Sequence, residues 1–202
     1  PNRIRVPPMC CCLAREGVGS DELIAHYEKL AASGAGLVVI EATAVRADGR
    51  ITTRCLGLYN DEQERFFKRL LKACRAVAPA ETKFFLQLSH CGRKGSRKDP
   101  KTGHGTLLPE EGGFALMAPS AVAYTPQAPM PRELTEADID RMLQAFEAAA
   151  HRAARVGFDG IQIHAAHGYL VHQFLSPVTN RRTDNWGGSL QNRQRFALEV
   201  VK

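Results

Sequence analysis

The stretch Leu37-Val38-Val39-Ile40 decides the fold class, because four consecutive apolar residues, mostly β-branched, are typical of a strand buried on both faces. Such strands occur in parallel sheets that are covered by helices on both sides. Apolar residues at helical spacing follow over residues 66–77. This stretch and the segment after it therefore predict one βα unit of a parallel α/β domain.

The same alternation of short strand-like runs and longer helix-like runs extends along the whole chain. The sequence predicts strands over residues 4–9, 37–40, 83–88 and 160–164. It predicts helices over 20–34, 66–77, 135–157 and from near 189 to the last residue, with Thr135 and Asp138 spaced as a capping box. Residues 92–133 have no sustained periodicity, which is typical of a functional loop. Four βα units belong either to a doubly wound sheet or to half of a (β/α)₈ barrel.

The residues after the first strand distinguish these two folds. A doubly wound nucleotide-binding domain requires a glycine fingerprint there, whereas this chain has Pro7-Pro8-Met9-Cys10. We therefore expect an α/β fold with about the first four βα units of a TIM barrel, in one domain over residues 1–202. Polar residues lie at or just beyond the carboxyl ends of the predicted strands, where barrels place their chemistry: Cys10, Glu41, Gln87, His90 and His164.

Composition and charge argue against several classes of protein. With 44% hydrophobic and 24% charged residues, the 202-residue chain is globular rather than disordered. The net charge of +6 is too small to indicate nucleic-acid binding. We expect no membrane association and no secretion, because no run of about 18 apolar residues and no leader pattern is found. The six cysteines lack the paired spacing of zinc sites, which indicates reduced thiols in a cytoplasmic protein.

The densest group of reactive side chains directly follows the fourth strand, in His164-Ala165-Ala166-His167-Gly168-Tyr169. Taken alone, the two histidines have the spacing of a metal pair, but no acidic third ligand is near and structural histidines are the commoner case. Gln87 alone is more often a satisfied core amide, and Tyr169 alone more often a packing residue. The single residues therefore leave these alternatives open.

The longer pattern resembles the old yellow enzyme family of flavin oxidoreductases, most closely its thermophilic-like ene-reductase subgroup. The motif at 164–169 continues into His172-Gln173-Phe174-Leu175-Ser176-Pro177 and into residues 179–184. Further segments that carry the resemblance are 2–4, 8–10, 41–45, 87–94, 118–120, 187–189 and 192–193. The resemblance therefore extends across nearly the whole chain.

This resemblance implies an FMN-containing barrel that takes a hydride from NADPH or NADH and reduces the activated C=C bond of an α,β-unsaturated carbonyl compound. It implies that His164 and His167 bind the substrate oxygen and that Tyr169 protonates the α-carbon. The residues implied to line the flavin ring are Pro8, Met9, Cys10, Ala42 and Gln87, with Cys10 tuning the flavin potential. Lys94, in a basic loop that is otherwise a solvated face, is a candidate substrate contact. The complete protein is expected to be a homo-oligomer.

Two departures from the family pattern limit what the resemblance implies. Cys12 stands where the subgroup usually has tyrosine, so one hydroxyl on the substrate side is missing. Strands five to eight of a barrel, with the flavin-phosphate site, have no counterpart in this sequence. We therefore expect residues 1–202 alone not to hold FMN stoichiometrically.

The alternative function is a catalytically silent half-barrel that acts as a structural or interaction module. The Arg181-Arg182 pair is either solvated, attracted to phosphate, or paired with Asp184.

Overall fold

The computed structural model describes residues 2–202, in which strands and helices alternate along the chain. The strands are β1 (Arg5–Val6), β2 (Ala14–Arg15), β3 (Val18–Gly19), β4 (Leu37–Ala44), β5 (Lys83–Ser89), β6 (Met117–Ala118), β7 (Arg132–Glu133) and β8 (Gly160–Ile163). The helices are α1 (Asp21–Ala31), α2 (Asp61–Val77), α3 (Glu136–Val156), α4 (Leu170–Leu175) and α5 (Leu190–Val200).

The central sheet is parallel, with the strand order β1-β4-β5-β8. Each strand pairs with the strand of the next βα unit, so the sheet lacks the reversal of strand order that defines a doubly wound fold. A progressive order of this kind is how a (β/α)₈ barrel is built. The prediction of four parallel βα units is confirmed.

Capping side chains begin the four long helices, and their apolar faces cover the sheet. The N-cap residues, each accepting a hydrogen bond from a backbone N–H three residues on, are Ser20, Asn60, Thr135 and Ser189. Thr135 and Asp138 form the predicted capping box, and Gly157 ends α3 with φ +99°. The core between helices and sheet includes Leu23, Phe67, Leu70, Phe84, Leu86, Ile139 and Phe146.

Several element ends differ from the prediction, and helix α2 begins at Asp61 and not at residue 66. The first strand is Arg5–Val6 instead of residues 4–9, because Pro7 and Pro8 have no backbone N–H to donate to a sheet. Helix α1 ends at Ala31, before the predicted Gly34. Strand β4 continues past the predicted residue 40 to Ala44, with a β-bulge between Ile40 and Thr43. Bulges of this kind redirect side chains near functional sites.

Several short elements have no signal in the hydropathy pattern. Strands β2 and β3 form an antiparallel hairpin, and α4 is a single short helix after the fourth sheet strand. The segment 92–133 contains the parallel pair β6 and β7 and two 3₁₀ turns. Ser96 holds this segment together, since its hydroxyl donates to Leu107 O at 2.8 Å and accepts from Phe114 N at 3.0 Å. The predicted loop is therefore an ordered structure built by side-chain hydrogen bonds.

Candidate active site

Three aromatic rings meet where β8 ends. The backbone N–H of His164 donates to Leu88 O at 2.9 Å and so extends the parallel ladder by one residue. The His164 ring lies 5.1 Å from the His167 ring and 4.9 Å from the Tyr169 ring, in each case edge to face. The structure therefore brings together the three side chains that the sequence analysis assigned to catalysis.

His164 is the central ring and is only 7% exposed. Its burial, followed by the positive charges of His167 and Lys94, lowers its pKa to about 4. Its Nδ1 accepts a long hydrogen bond of 3.4 Å from Ala166 N, so the ring proton lies on Nε2. Near neutral pH, His164 is therefore an uncharged imidazole that offers one N–H donor.

Tyr169 stands at the N-cap of α4, with its phenol half-buried against His164. Burial is the main cause that raises its pKa to about 12. The hydroxyl therefore keeps its proton across the neutral range and has it available for transfer to a strong base.

Lys94 crosses from the loop after β5 and holds the turn that carries these rings. Its Nζ donates to His167 O at 2.7 Å and lies 5.0 Å from the centroid of the Tyr169 ring. The ring of Tyr124 lies 4.9 Å from the same ammonium. His167 has φ +56°, a left-handed conformation that is uncommon for residues other than glycine. Lys94 therefore stabilises a strained turn, and it is not part of a merely solvated face.

Gln173 joins the same turn to the loop after β5, a role that the sequence analysis did not assign to it. Its Nε2 donates to Cys91 O at 3.2 Å and to Gly168 O at 2.7 Å, and its Oε1 accepts from Arg93 N at 3.3 Å. A Cβ at Gly92 would lie 2.2 Å from that Oε1, which explains the glycine there. The available signal was a glutamine on the otherwise apolar buried face of α4.

Gln87 lies inside β5 opposite Gln162 of β8. Its Nε2 donates to Gln162 Oε1 at 2.8 Å, so the two amides form one polar strip across neighbouring strands. The sequence analysis did not predict Gln162 as a site residue. Gln162 is the polar residue between Ile161 and Ile163, and it lies directly opposite Gln87 in the pairing of β5 with β8. The pair leaves Gln87 Oε1 available to a further partner.

The other residues predicted to line a flavin ring lie on two neighbouring strands or just after them. Ala42 is buried in the bulge of β4. Pro8, Met9 and Cys10 follow β1, and Met9 is 50% exposed. The side chain of Cys10 is exposed.

Glu41 was expected at a strand end, but it lies inside β4 and is buried. Its carboxylate accepts hydrogen bonds from Cys11 N at 3.1 Å and from the Tyr27 hydroxyl at 3.3 Å. Burial raises its pKa from 4.5 to about 6. Glu41 therefore fixes the segment after β1.

The donor set of this sheet edge fits the ring of a flavin. The pyrimidine side of an isoalloxazine alternates carbonyl and N–H groups, which suits the amide of Gln87. The small side chain of Ala42 leaves room for a flat ring, and the Nε2 proton of His164 supplies a donor beside it. In barrels of this type, the loops after strands seven and eight commonly grip the phosphate.

Two further ionisable side chains, those of His90 and Arg182, are structural. His90 is buried, its Nδ1 accepts from Gly92 N at 3.1 Å, and its Nε2 lies 3.6 Å from Asp48 Oδ1. Burial lowers the pKa of His90, so the ring is neutral. Arg182 is buried and pairs with Asp184 at 2.5 Å while donating to Pro119 O at 3.0 Å. The ion-pair alternative is therefore correct for Arg182.

Among residues 2–202, no group of three or more His, Cys, Asp or Glu side chains is arranged to hold a metal ion. Within the same residues, no helix is both long enough and apolar enough to cross a bilayer.

Comparison with known proteins decides the family. The profile of the NADH:flavin oxidoreductase / NADH oxidase family matches residues 1–202. The chain belongs to this family. An NADPH dehydrogenase of Listeria welshimeri is 44% identical to this chain over 203 residues, which cover all of the chain and 55% of the relative. An NADH:flavin oxidoreductase of Gibberella zeae is 43% identical to the chain, and the matched region covers 49% of that relative.

Solved structures of the same family confirm the fold. Morphinone reductase matches all of this chain with a TM-score of 0.85 and 33% identity, and 54% of that protein is covered. An Old Yellow Enzyme from Pichia sp. AKU4542 matches 99% of the chain with a TM-score of 0.87 and 28% identity, and 51% of it is covered. These proteins are TIM barrels, so the predicted partial barrel is confirmed. The chain spans about half the length of the relatives that it matches.

Proposed function

We propose that this chain is the N-terminal half of an FMN-dependent oxidoreductase that uses NADPH or NADH to reduce the activated C=C bond of an α,β-unsaturated carbonyl compound. The observation that carries the proposal is the neutral His164 with its free Nε2 proton, in contact with His167 and Tyr169 at the carboxyl end of the sheet. Family membership supports the flavin and the nicotinamide reductant. Bound FMN would supply hydride transfer.

The substrate oxygen is bound by His164 and His167. Reduction at the β-carbon of an enone places negative charge on this oxygen, so donors aimed at it lower the barrier. Because burial keeps His164 uncharged, its Nε2–H acts as a neutral donor that does not lose a proton to the oxygen. Lys94 fixes His167 through the 2.7 Å contact with its carbonyl and so sets the distance between the two donors.

Tyr169 delivers the proton to the α-carbon. Its raised pKa, caused mainly by burial, keeps the phenol protonated until a carbon base forms next to it. The ammonium of Lys94 over the ring favours the phenolate that remains after transfer. Tyr169 is therefore an acid that is held in place by the same lysine that fixes His167.

The ring-facing part of the cofactor site consists of Gln87, Ala42 and the segment Pro8-Met9-Cys10. Gln162 orients Gln87 by accepting a hydrogen bond from one of the two N–H donors of the Gln87 amide. Cys10, next to the ring, tunes the flavin potential. The complete protein is a homo-oligomer in this proposal, with a small enone as its substrate.

The histidine pair is tested with the complete protein carrying FMN. A phenol that binds over oxidised flavin gives a long-wavelength absorption band, and replacing both His164 and His167 with alanine should abolish it. His151→Ala, on the exposed face of α3, is the matched control and should leave the band intact. An unchanged titration of the double variant would refute the assignment. Failure of the complete protein to retain FMN would favour the silent-module alternative.

The acid is tested by separating the two half-reactions. Tyr169→Phe should slow alkene reduction roughly 10²-fold, while flavin reduction by NADPH or NADH stays near normal. Tyr124→Phe, which removes a hydroxyl on the other side of Lys94, is the control and should change neither rate greatly. Equal losses in both half-reactions would make Tyr169 structural.

A further inference from the structure

The side chains of Tyr27 and Glu41 meet in the core beside the bulge of β4. The Tyr27 hydroxyl accepts a hydrogen bond from Glu41 N at 2.9 Å and donates to Glu41 Oε1 at 3.3 Å. The Thr43 hydroxyl donates to Glu41 O at 2.9 Å. Glu41 lies inside the register shift between Ile40 and Thr43. Side chains therefore satisfy both backbone polar groups of Glu41 in this bulge.

The second oxygen of the Glu41 carboxylate holds the segment that follows β1. Glu41 Oε2 accepts a hydrogen bond from Cys11 N at 3.1 Å. The other end of the segment is also fixed on β4, because Val6 pairs with Val38 in the parallel sheet. Between these two ends lie residues 7–10, and the first two are prolines, whose rings fix φ. One strand therefore holds both ends of a short and stiff segment.

We propose that Tyr27 and Glu41 are positioning residues for the side of the site that faces the flavin ring, and that they act through the backbone of the segment after β1. The inference rests on the proposed function, in which residues 8–10 and Ala42 line that ring. Ala42 directly follows Glu41 in the bulge, so one contact between α1 and β4 positions both parts of the lining. We call Tyr27, Glu41 and the N–H of Cys11 the β4 brace.

Burial and charge suit the β4 brace to this role. Tyr27 is 2% exposed and Glu41 is 1% exposed, so water does not compete for their hydrogen bonds. Burial, followed by the charge of Glu41, raises the pKa of Tyr27 well above 10, so the hydroxyl keeps the proton that it donates. Burying a carboxylate is less favourable than burying an amide. Only the carboxylate, however, has an acceptor on each oxygen, one for the Tyr27 hydroxyl and one for Cys11 N.

The first test is hydrogen–deuterium exchange of the complete protein, with FMN bound and after its removal. Tyr27→Phe removes only a hydroxyl, and Glu41→Leu removes both acceptor oxygens. Each variant should speed exchange at Cys11 N roughly tenfold, and by a larger factor than exchange within β5. Tyr27 does not itself contact Cys11 N, so an effect of Tyr27→Phe there must pass through Glu41. Equal factors in both segments would show a general loss of stability and would overturn the proposal.

The second test is the affinity of the same variants for FMN. Tyr27→Phe and Glu41→Leu should each raise the Kd for FMN roughly tenfold. Because the two side chains act as one unit, the double variant should lose less than the sum of the two single losses. Tyr59→Phe is the matched control, since it removes a hydroxyl that contacts Glu16 O at 3.4 Å, and it should change neither Kd nor exchange at Cys11 N.

Two results for FMN affinity would contradict the proposal. One is an unchanged Kd in both single variants, and the other is full additivity in the double variant. The exchange measurement requires no flavin. Failure of the wild type to retain FMN would therefore contradict the proposed function, while exchange at Cys11 N would still decide whether the β4 brace holds the segment after β1.

Discussion

Replacing Glu41 with glutamine should remove a pH dependence from the stability of this chain. Glu41 is 1% exposed in β4, and its oxygens accept hydrogen bonds from the neutral Cys11 N–H and Tyr27 hydroxyl. Burial raises its pKa from 4.5 to about 6. The folded chain therefore binds this proton more tightly than the unfolded chain does.

The magnitude follows from linkage between protonation and folding. A rise in pKa from 4.5 to about 6 corresponds to about 2 kcal/mol. Because the folded pKa is the higher one, this contribution is fully present below pH 4.5 and is lost as the pH rises through 6. Wild-type stability should therefore fall by about 2 kcal/mol, from this group alone, between pH 4 and pH 8.

The assay is urea unfolding of the wild type and of Glu41→Gln at both pH values. Carboxylates with other partners, such as Asp48 and Asp138, titrate in both proteins and cancel in the difference. We expect the variant to gain about 2 kcal/mol relative to the wild type on going from pH 4 to pH 8. Glu22→Gln, on the exposed side of α1, is the matched control. Equal pH dependence in Glu41→Gln and the wild type would refute the reasoning.

Three other predictions concern two buried hydrogen-bonding side chains and the chain expressed alone. Gln173→Leu leaves two carbonyls and one N–H without a partner, so the free energy of unfolding should fall by about 3 kcal/mol, measured from urea midpoints. Arg182→Met leaves the Asp184 carboxylate without its ion-pair partner and Pro119 O without a hydrogen-bond donor. The free energy of unfolding should fall by about 3 kcal/mol in the same assay. An unchanged urea midpoint would show that Arg182 does not contribute to stability. Residues 1–202 expressed alone should purify colourless and self-associated; a yellow monomer with about one FMN per chain would contradict this.

The strands and helices of the βα units were predictable because their signals are local. A buried parallel strand is apolar over consecutive positions, as at 37–40, and a covering helix repeats its apolar residues with helical spacing, as at 66–77. Thr135 and Gly157 bound α3 through contacts within a few residues of themselves. The bulge in β4 was not predictable in this way, because it arises where β4 pairs with β5, a strand some 40 residues away in the chain.

The meeting of the three aromatic rings was predictable because their side chains share one short segment. His164, His167 and Tyr169 lie within six residues after β8, so the end of one strand is enough to bring them together. Lys94, Tyr124 and Gln173 come from other parts of the chain, and no periodicity connects them to that turn. Their contacts with it appear only when the loop after β5 packs against α4.

The sequence by itself determined the parallel α/β architecture, the family and the residue types at the carboxyl edge of the sheet, since each is carried by local periodicity or by an unbroken motif. Only the tertiary structure decided the protonation of His164 and Glu41, the hydrogen bond from Arg182 to Pro119 O and the contacts of the Thr52 hydroxyl with Cys12 and Cys55. The physical reason is that desolvation and charge–charge interaction depend on which distant segments surround a group. That arrangement is set by packing and not by neighbours in the chain.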